Sequence, residues 1–363
     1  MKPQEKMRIN AFDLLRGWCL IVISSDHLMR FPSLFDPLTG RGLLWVTAAE
    51  GFFFISGALV GIVRGRKMHT DGLMTAARQL WSRAGKLYIA SIILTLLFTV
   101  LAYYFQSVGG NVKGGLEHFG SIWEMLWRTM TLQYNYGWTD FLNYYVVFLL
   151  LSPLALWLCR RGLWWSVLLA AMVVWVGKTF VDNSILSAYL TWQSYFFIGL
   201  VFGYRYQDVH AFYRRVSEGG RKWAHGLVYG LTAATIVLSF VFTFGTQANE
   251  LIRQISDNQT FTLLLQENRT GLLRLPLFLL WFATLFAIVR RYESWIIKRV
   301  GGLLLPLGKN SLYVYIVSGM VAFLVALVNI PQDFFINTFI NIAAIALYWL
   351  AVRKRILFSV IPR

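Results

Sequence analysis

Ten apolar runs recur along this chain with no soluble-domain stretch between them, and they restrict it to a bundle lying within a bilayer. They cover roughly 9–30, 42–63, 84–106, 141–159, 163–181, 187–205, 224–245, 271–290, 309–330 and 334–352. Each is near the ~20 residues that a helix needs to cross the hydrocarbon core. The expected fold is all-α: a polytopic integral membrane protein with about ten transmembrane helices, forming a single domain over 1–363. No internal repeat or low-complexity tract interrupts it. The first run does not read as a cleaved signal, because it holds Arg16, Asp26 and His27 and no small-residue cleavage site follows.

Charge narrows the class further. Only 14% of residues are charged, against about 25% in a typical soluble domain. The net charge of +17 is not a nucleic-acid footprint, since the basic residues sit in short clusters between apolar runs rather than on a folded soluble face. The excess of Trp, Tyr and Phe suits interfacial belts in contact with membrane lipids. Cys19 and Cys159 fall in or beside apolar runs and read as small hydrophobes, not as a disulfide framework.

Lys and Arg also set the orientation. With the N-terminus inside, 26 of the 34 basic residues fall on the inner side. They lie from Lys2 to Arg16, from Arg64 to Lys86, at Arg160 and Arg161, from Arg205 to Lys222, from Arg290 to Lys309, and from Arg353 to Arg363. Both termini are therefore expected in the cytoplasm. Two longer outer segments, about 107–140 and 246–270, separate the spans, and the first is rich in Gly, Trp and Tyr.

Ionisable side chains inside a bilayer cost several kcal/mol, so they face the bundle interior and often mark function. The first run reads AFDLLRGWCLIVISSDHLMR. Arg16 and His27 are separated by eleven positions, which on a helix is three turns plus about 20° and about 16 Å of rise. Asp13, Arg16, Ser24 and His27 therefore share a face, with Arg16 near the inner end and His27 toward the outside. Asp26 and Glu50 are the carboxylates placed to orient the imidazole and raise its basicity. Arg16 also fits an interfacial snorkel, and His27 an interhelical hydrogen bond.

Other polar positions are weaker signals. Ser56 and Gly57 read first as sites of close helix packing. Gln133, Tyr134, Asp140, Asn143 and Tyr144 (with Tyr145) gather at the outer mouth of the fourth run, and Trp192 and Gln193 at the outer end of the sixth. Rings beside amides and a carboxylate suit a sugar, and equally suit an aromatic belt with hydrogen-bond partners. Lys309, Asn310 and Ser311 stand together at the inner end of the ninth run. They fit a phosphate at a helix N-terminus, or a cap with a topogenic Lys. His27, Asp26 and Glu50 are too few for a metal-ligand set, and none is expected.

Five segments carry a resemblance: DLLRGWCLIVISSDH, AAEGFFFISG, QYNYGWTDFLNYYVVFLLLSPLAL, WQSYFFIGLVFG and LGKNSLYVY. With its Arg-x10-His spacing in the first run, the chain resembles membrane acyltransferase family three, in its OpgC-like branch of periplasmic glucan succinyltransferase-like proteins. The resemblance implies a multi-pass protein of the bacterial inner membrane. It would move an acetyl or succinyl group from cytoplasmic acyl-CoA to a hydroxyl of an extracytoplasmic glycan or glycolipid. Acyl-CoA would be a donor substrate, with no tightly bound cofactor. Arg16 matches the residue that helps hold the CoA phosphates, His27 the catalytic histidine, and Asp26 and Glu50 acidic positions of the OpgC-like branch. A proton-coupled carrier of a small solute or glycan precursor is the rival reading. Such carriers often show inverted repeats and paired broken helices, which the sequence does not display.

Overall fold

A computed structural model describes residues 9–108, 118–246, 249–265, 271–359 and 361. Lys2, Lys6, Arg8 and Arg363 of the inner basic count lie outside these residues, as do parts of the two outer segments. Regular structure among the described residues is entirely helical. The chain begins with α1 (Asn10–Leu28), the short α2 (Asp36–Thr39), α3 (Ala48–Asp71), α4 (Leu73–Ser107) and α5 (Ile122–Met130). There follow α6 (Asp140–Arg160), α7 (Trp164–Gly177), α8 (Ser184–Tyr204), α9 (Tyr206–Arg215) and α10 (Glu218–Gly245). The short α11 (Glu250–Ser256) and α12 (Gln259–Leu265) lead to α13 (Arg274–Arg291), α14 (Glu293–Lys309), α15 (Ser311–Leu327) and α16 (Phe334–Arg353).

All ten apolar runs fall in helices. Six of these helices, α3, α4, α6, α8, α10 and α16, are long and apolar enough to cross a membrane. α7 and α15 are apolar but shorter. α1 is different in kind: it carries Asp13, Arg16 and Asp26 within nineteen residues, and fifteen of the nineteen are buried in the bundle. A helix wrapped by its neighbours shows little surface to lipid, so it can hold charges that a lipid-facing helix could not.

The main departure from the sequence reading is α14. The basic cluster from Arg290 to Lys309 was expected to be an inner connection between spans. It is instead a helix bent by 96° from α13. Its apolar positions Ile296, Ile297, Val300, Leu303 and Leu304 recur at helical spacing, and a count of Lys and Arg alone does not register them.

Glycine sets the two tightest helix contacts. A Cβ at Gly57 would lie 1.9 Å from the Phe196 carbonyl oxygen, and one at Gly203 would lie 2.0 Å from that of Ala58. This locks α3 to α8 backbone to backbone, the small-residue packing typical of membrane helices. On the other side of α3, α1 meets α14 in the same way. A Cβ at Gly308 would fall 1.8 Å from the Asp13 carbonyl oxygen, and one at Gly17 2.2 Å from that of Leu304. The second contact holds the end of α14 and the start of α15 at the level of Arg16.

Candidate functional site

Two cavities open at opposite ends of α1, named inner and outer after the orientation expected from the Lys and Arg distribution. The inner one has a volume of about 500 Å³ and is lined by Phe12, Asp13 and Arg16 of α1, by Arg64, Arg66 and Lys67 of α3, by Arg83 of α4, by Tyr145 of α6 and by Lys309 of α14. Among the described residues, six cationic side chains and one acid face this space. Such a volume is that of a small-molecule site, and the charge is that of a site for a polyanion.

Arg16 occupies the deep end. Its guanidinium donates to the Ser311 hydroxyl at the first turn of α15, and its Cζ lies 5.5 Å from the centre of the Phe52 ring. Its Nε is buried with no hydrogen-bond partner among the described residues. Neither contact neutralises the charge. Lys309 reaches this cavity as expected, but not at a helix N-terminus: it closes α14, and α15 starts at Ser311. Asn310 is turned away, its amide donating to the Pro306 carbonyl at 2.9 Å. A phosphate-holding role for Asn310 is therefore not what its geometry supports.

The outer cavity is small, about 70 Å³, and lined by His27, Arg30, Trp138, Asn329 and Gln332 among others. The His27 ring lies 6.2 Å from that of Trp138 and 6.0 Å from that of Tyr315. The Tyr315 hydroxyl donates to the Trp138 carbonyl at 2.9 Å, fixing both rings. Arg30 donates to the carbonyls of Ile330 and Pro331 and so ties the end of α1 to the segment after α15. His27 Nδ1 is buried without a partner among the described residues.

Among the described residues no carboxylate bonds to His27 Nδ1, the contact expected of Asp26 or Glu50. Asp26 stays at the last turn of α1, where its backbone carbonyl accepts from Met29. Glu50 is committed elsewhere. Its carboxylate accepts from the Thr47 backbone N–H at 2.9 Å and the Thr47 hydroxyl at 2.5 Å, and pairs with Arg274, which also donates to the Leu44 carbonyl at 3.3 Å. Lys178 lies within electrostatic reach of both partners.

Between the two cavities stands a column of rings. Phe52, beside Arg16, lies 6.4 Å from Tyr315, and Phe141 lies 5.0 Å from Phe52 and 4.6 Å from Tyr315. Tyr315 then meets His27. Arg16 and His27 are therefore linked by packed aromatic faces as well as by the helix that carries them.

The seven residues proposed for an acceptor do not gather around His27. Asn143 bonds to Ser91 of α4, and Gln193 donates to the Ala171 and Leu190 carbonyls at 2.9 and 3.2 Å. The Tyr134 hydroxyl meets Thr99 at 2.9 Å. Trp192 stacks on Phe53 at 5.0 Å. Asp140 and Tyr144 are hydrogen-bonded to each other beside Tyr189, and Gln133 is exposed. None of them lines either cavity. The amides of Asn143 and Gln193 join neighbouring helices.

Sequence reasoning missed Trp138, Tyr315, Lys178 and Arg274. Tyr315 had a signal, since it follows Ser311 by four residues and so shares its helix face. Lys178 and Arg274 had one too, as ionisable residues in apolar runs, the criterion that singled out Arg16.

Helices of this length and apolarity, with charge held inside the bundle, make the chain an integral membrane protein. It belongs to the OpgC protein family, whose profile matches residues 8–358, nearly the whole chain. No curated protein and no solved structure matches it.

Proposed function

We propose that this OpgC-type protein is an O-acyltransferase of the bacterial inner membrane, with about ten spans and both termini in the cytoplasm. It takes an acetyl or succinyl group from cytoplasmic acyl-CoA and places it on a hydroxyl of a glycan or glycolipid outside. Family membership supports the acyltransferase class. One observation carries the rest: a single buried helix has a cation-rich cavity at Arg16 and a cavity bearing a histidine at His27, with a column of rings between them.

In this reading Arg16 and Lys309 meet the CoA diphosphate, a task suited to a guanidinium fork. The flexible pantetheine arm then carries the thioester toward His27, across about 16 Å of helix rise, as the rings of Phe52 and Tyr315 rotate aside. The outer cavity has the volume of about two waters, so it admits the reacting edge of an acceptor rather than a whole sugar. Neutral His27 takes the proton of the acceptor hydroxyl. The oxygen attacks the thioester carbonyl, the C–S bond breaks, and the departing CoA thiolate takes the proton back from His27. The carrier reading asks for paired broken helices, and the described residues contain one such bent pair, α13 with α14.

The test is transfer by purified His27→Ala from acyl-CoA to an envelope glycan, read by mass spectrometry. A loss of at least about a hundred-fold is expected, the usual contribution of a general base. Transfer equal to wild type would remove His27 from the chemistry.

A further inference from the structure

A second inner cavity, the larger at about 930 Å³, adjoins the first. Arg64 and Arg83 line both. Its floor is one face of α4, where Arg78, Arg83 and Lys86 recur near helical spacing with Gln79 and Ser82 between them. Among the described residues no carboxylate lines it. Arg64 is held across to α4 by Gln79. Arg83 lies 5.8 Å from the Tyr145 ring centre, and its Nε is buried without a partner among the described residues. The opposite wall is the segment after α16, which contributes Phe358. That segment is seated by the Tyr313 hydroxyl, which donates to the Ile356 carbonyl at 2.7 Å, and by the Phe358 ring, 4.7 Å from that of Tyr313.

CoA carries its negative charge in two places, the diphosphate and the ribose 3′-phosphate, both at the end remote from the thiol. If the diphosphate lies at Arg16 and the pantetheine arm rises along α1, the nucleotide must lie on the other side of Arg64 and Arg83. We infer that this second cavity is the nucleotide subsite of the donor, with Arg78 and Lys86 holding the 3′-phosphate and Ile89, Ile93 and Phe358 giving the adenine an apolar wall. The inference rests on the donor reading above and adds what that reading lacks, a reason to prefer CoA over a plain pantetheine diphosphate. Charge-assisted contacts to a phosphate are the strong ones, and two of them give a preference of about ten-fold or more.

The experiment is equilibrium competition on the detergent-solubilised full chain with CoA and 3′-dephospho-CoA, for wild type and for the double variant Arg78→Gln, Lys86→Gln. Wild type is expected to bind CoA about ten-fold tighter. The double variant is expected to bind the two alike, by losing affinity for CoA alone. Parallel weakening of both ligands, or a preference that survives in the variant, overturns the subsite. So does loss of the preference on adding phosphatidylglycerol to the micelles, which would assign the cations to a lipid headgroup. Transfer assays separate the two readings: acyl transfer from a dephospho donor at the wild-type rate and affinity refutes the subsite and leaves the enzyme standing. Preferential CoA binding without transfer does the reverse, and a chain that binds neither ligand fails both.

Discussion

Glu50 divides a catalytic acid from a structural one, and the division is measurable. Its side chain is 1% exposed and that of Arg274 is 6% exposed. Breaking a buried ion pair by removing one partner costs about 3–5 kcal/mol. Glu50→Gln keeps an oxygen for the two donors of Thr47 but removes the negative charge that faces Arg274 and Lys178. Its cost should lie near the top of that range. Glu50→Ala also gives up the helix-start contacts, worth about 1 kcal/mol more. Arg274→Met should cost less than Glu50→Gln, because the carboxylate retains Thr47 and the field of Lys178. The double variant should be no worse than Glu50→Gln alone, the sign of a coupled pair. Denaturant titration in micelles gives the stabilities, and transfer per folded molecule gives the activity. Activity should stay within about two-fold of wild type wherever the variant is folded. A Glu50→Gln protein within about 1 kcal/mol of wild-type stability whose transfer falls a hundred-fold, the scale of a general-base contribution, would refute this assignment and restore Glu50 to the chemistry.

Gly308→Ala should destabilise the protein by about 1–3 kcal/mol, the cost of overpacking, and weaken CoA binding as α14 and Ser311 move from Arg16; Gly302→Ala, where a Cβ meets nothing within 4 Å, is the control expected to change neither. Asn143→Val and Gln193→Leu should each lose about 0.6–2 kcal/mol of stability, the range for interhelical hydrogen bonds in membranes, with the KM for acceptor unchanged; a raised KM at full stability would return them to the acceptor site. Arg16→Met should leave the ligand-free protein as stable as wild type or more so, yet abolish the gain of about 2.7 kcal/mol that a ligand at a hundred times its Kd confers; an undiminished gain in ligand titrations would show that the donor sits elsewhere.

The sequence made α1 legible because its signal is local. Arg16 and His27 stand out against apolar neighbours on the same helix, and their spacing alone gives their relative height. The partners of Glu50 and Arg16 were not legible, since Arg274 lies 224 positions from Glu50 and Ser311 lies 295 from Arg16. Glu50 beside His27 in a helical reading looks like a base's orienter, and only the fold shows Thr47 and Arg274 occupying it. Asn143 and Gln193 failed for another reason. An amide among aromatic rings near a membrane surface has the same local signature whether it faces a sugar or the next helix. For α14, the charged residues carried the topology reading and hid a helix in which Gly308 is placed for close approach to α1.

Among the described residues three guanidiniums are buried, and the fold treats them differently. Arg274 has a carboxylate. Arg30 has two backbone carbonyls, those of Ile330 and Pro331, for its two terminal nitrogens. Arg16 has one neutral hydroxyl and the face of a ring, and it looks into a cavity where five more cations face a single acid, Asp13. A charge left so nearly uncompensated opposes folding, and a chain of this length has many ways to place an acid beside it. Retaining the imbalance makes physical sense where the missing negative charge arrives with a ligand, so that binding supplies what folding forgoes. The same imbalance explains why the cavity stays open at Arg16 while the rings above it close. Like charges repel across the inner cavity, whereas Phe52, Phe141 and Tyr315 pack against one another, and in the proposed mechanism it is the donor's own chain that displaces them.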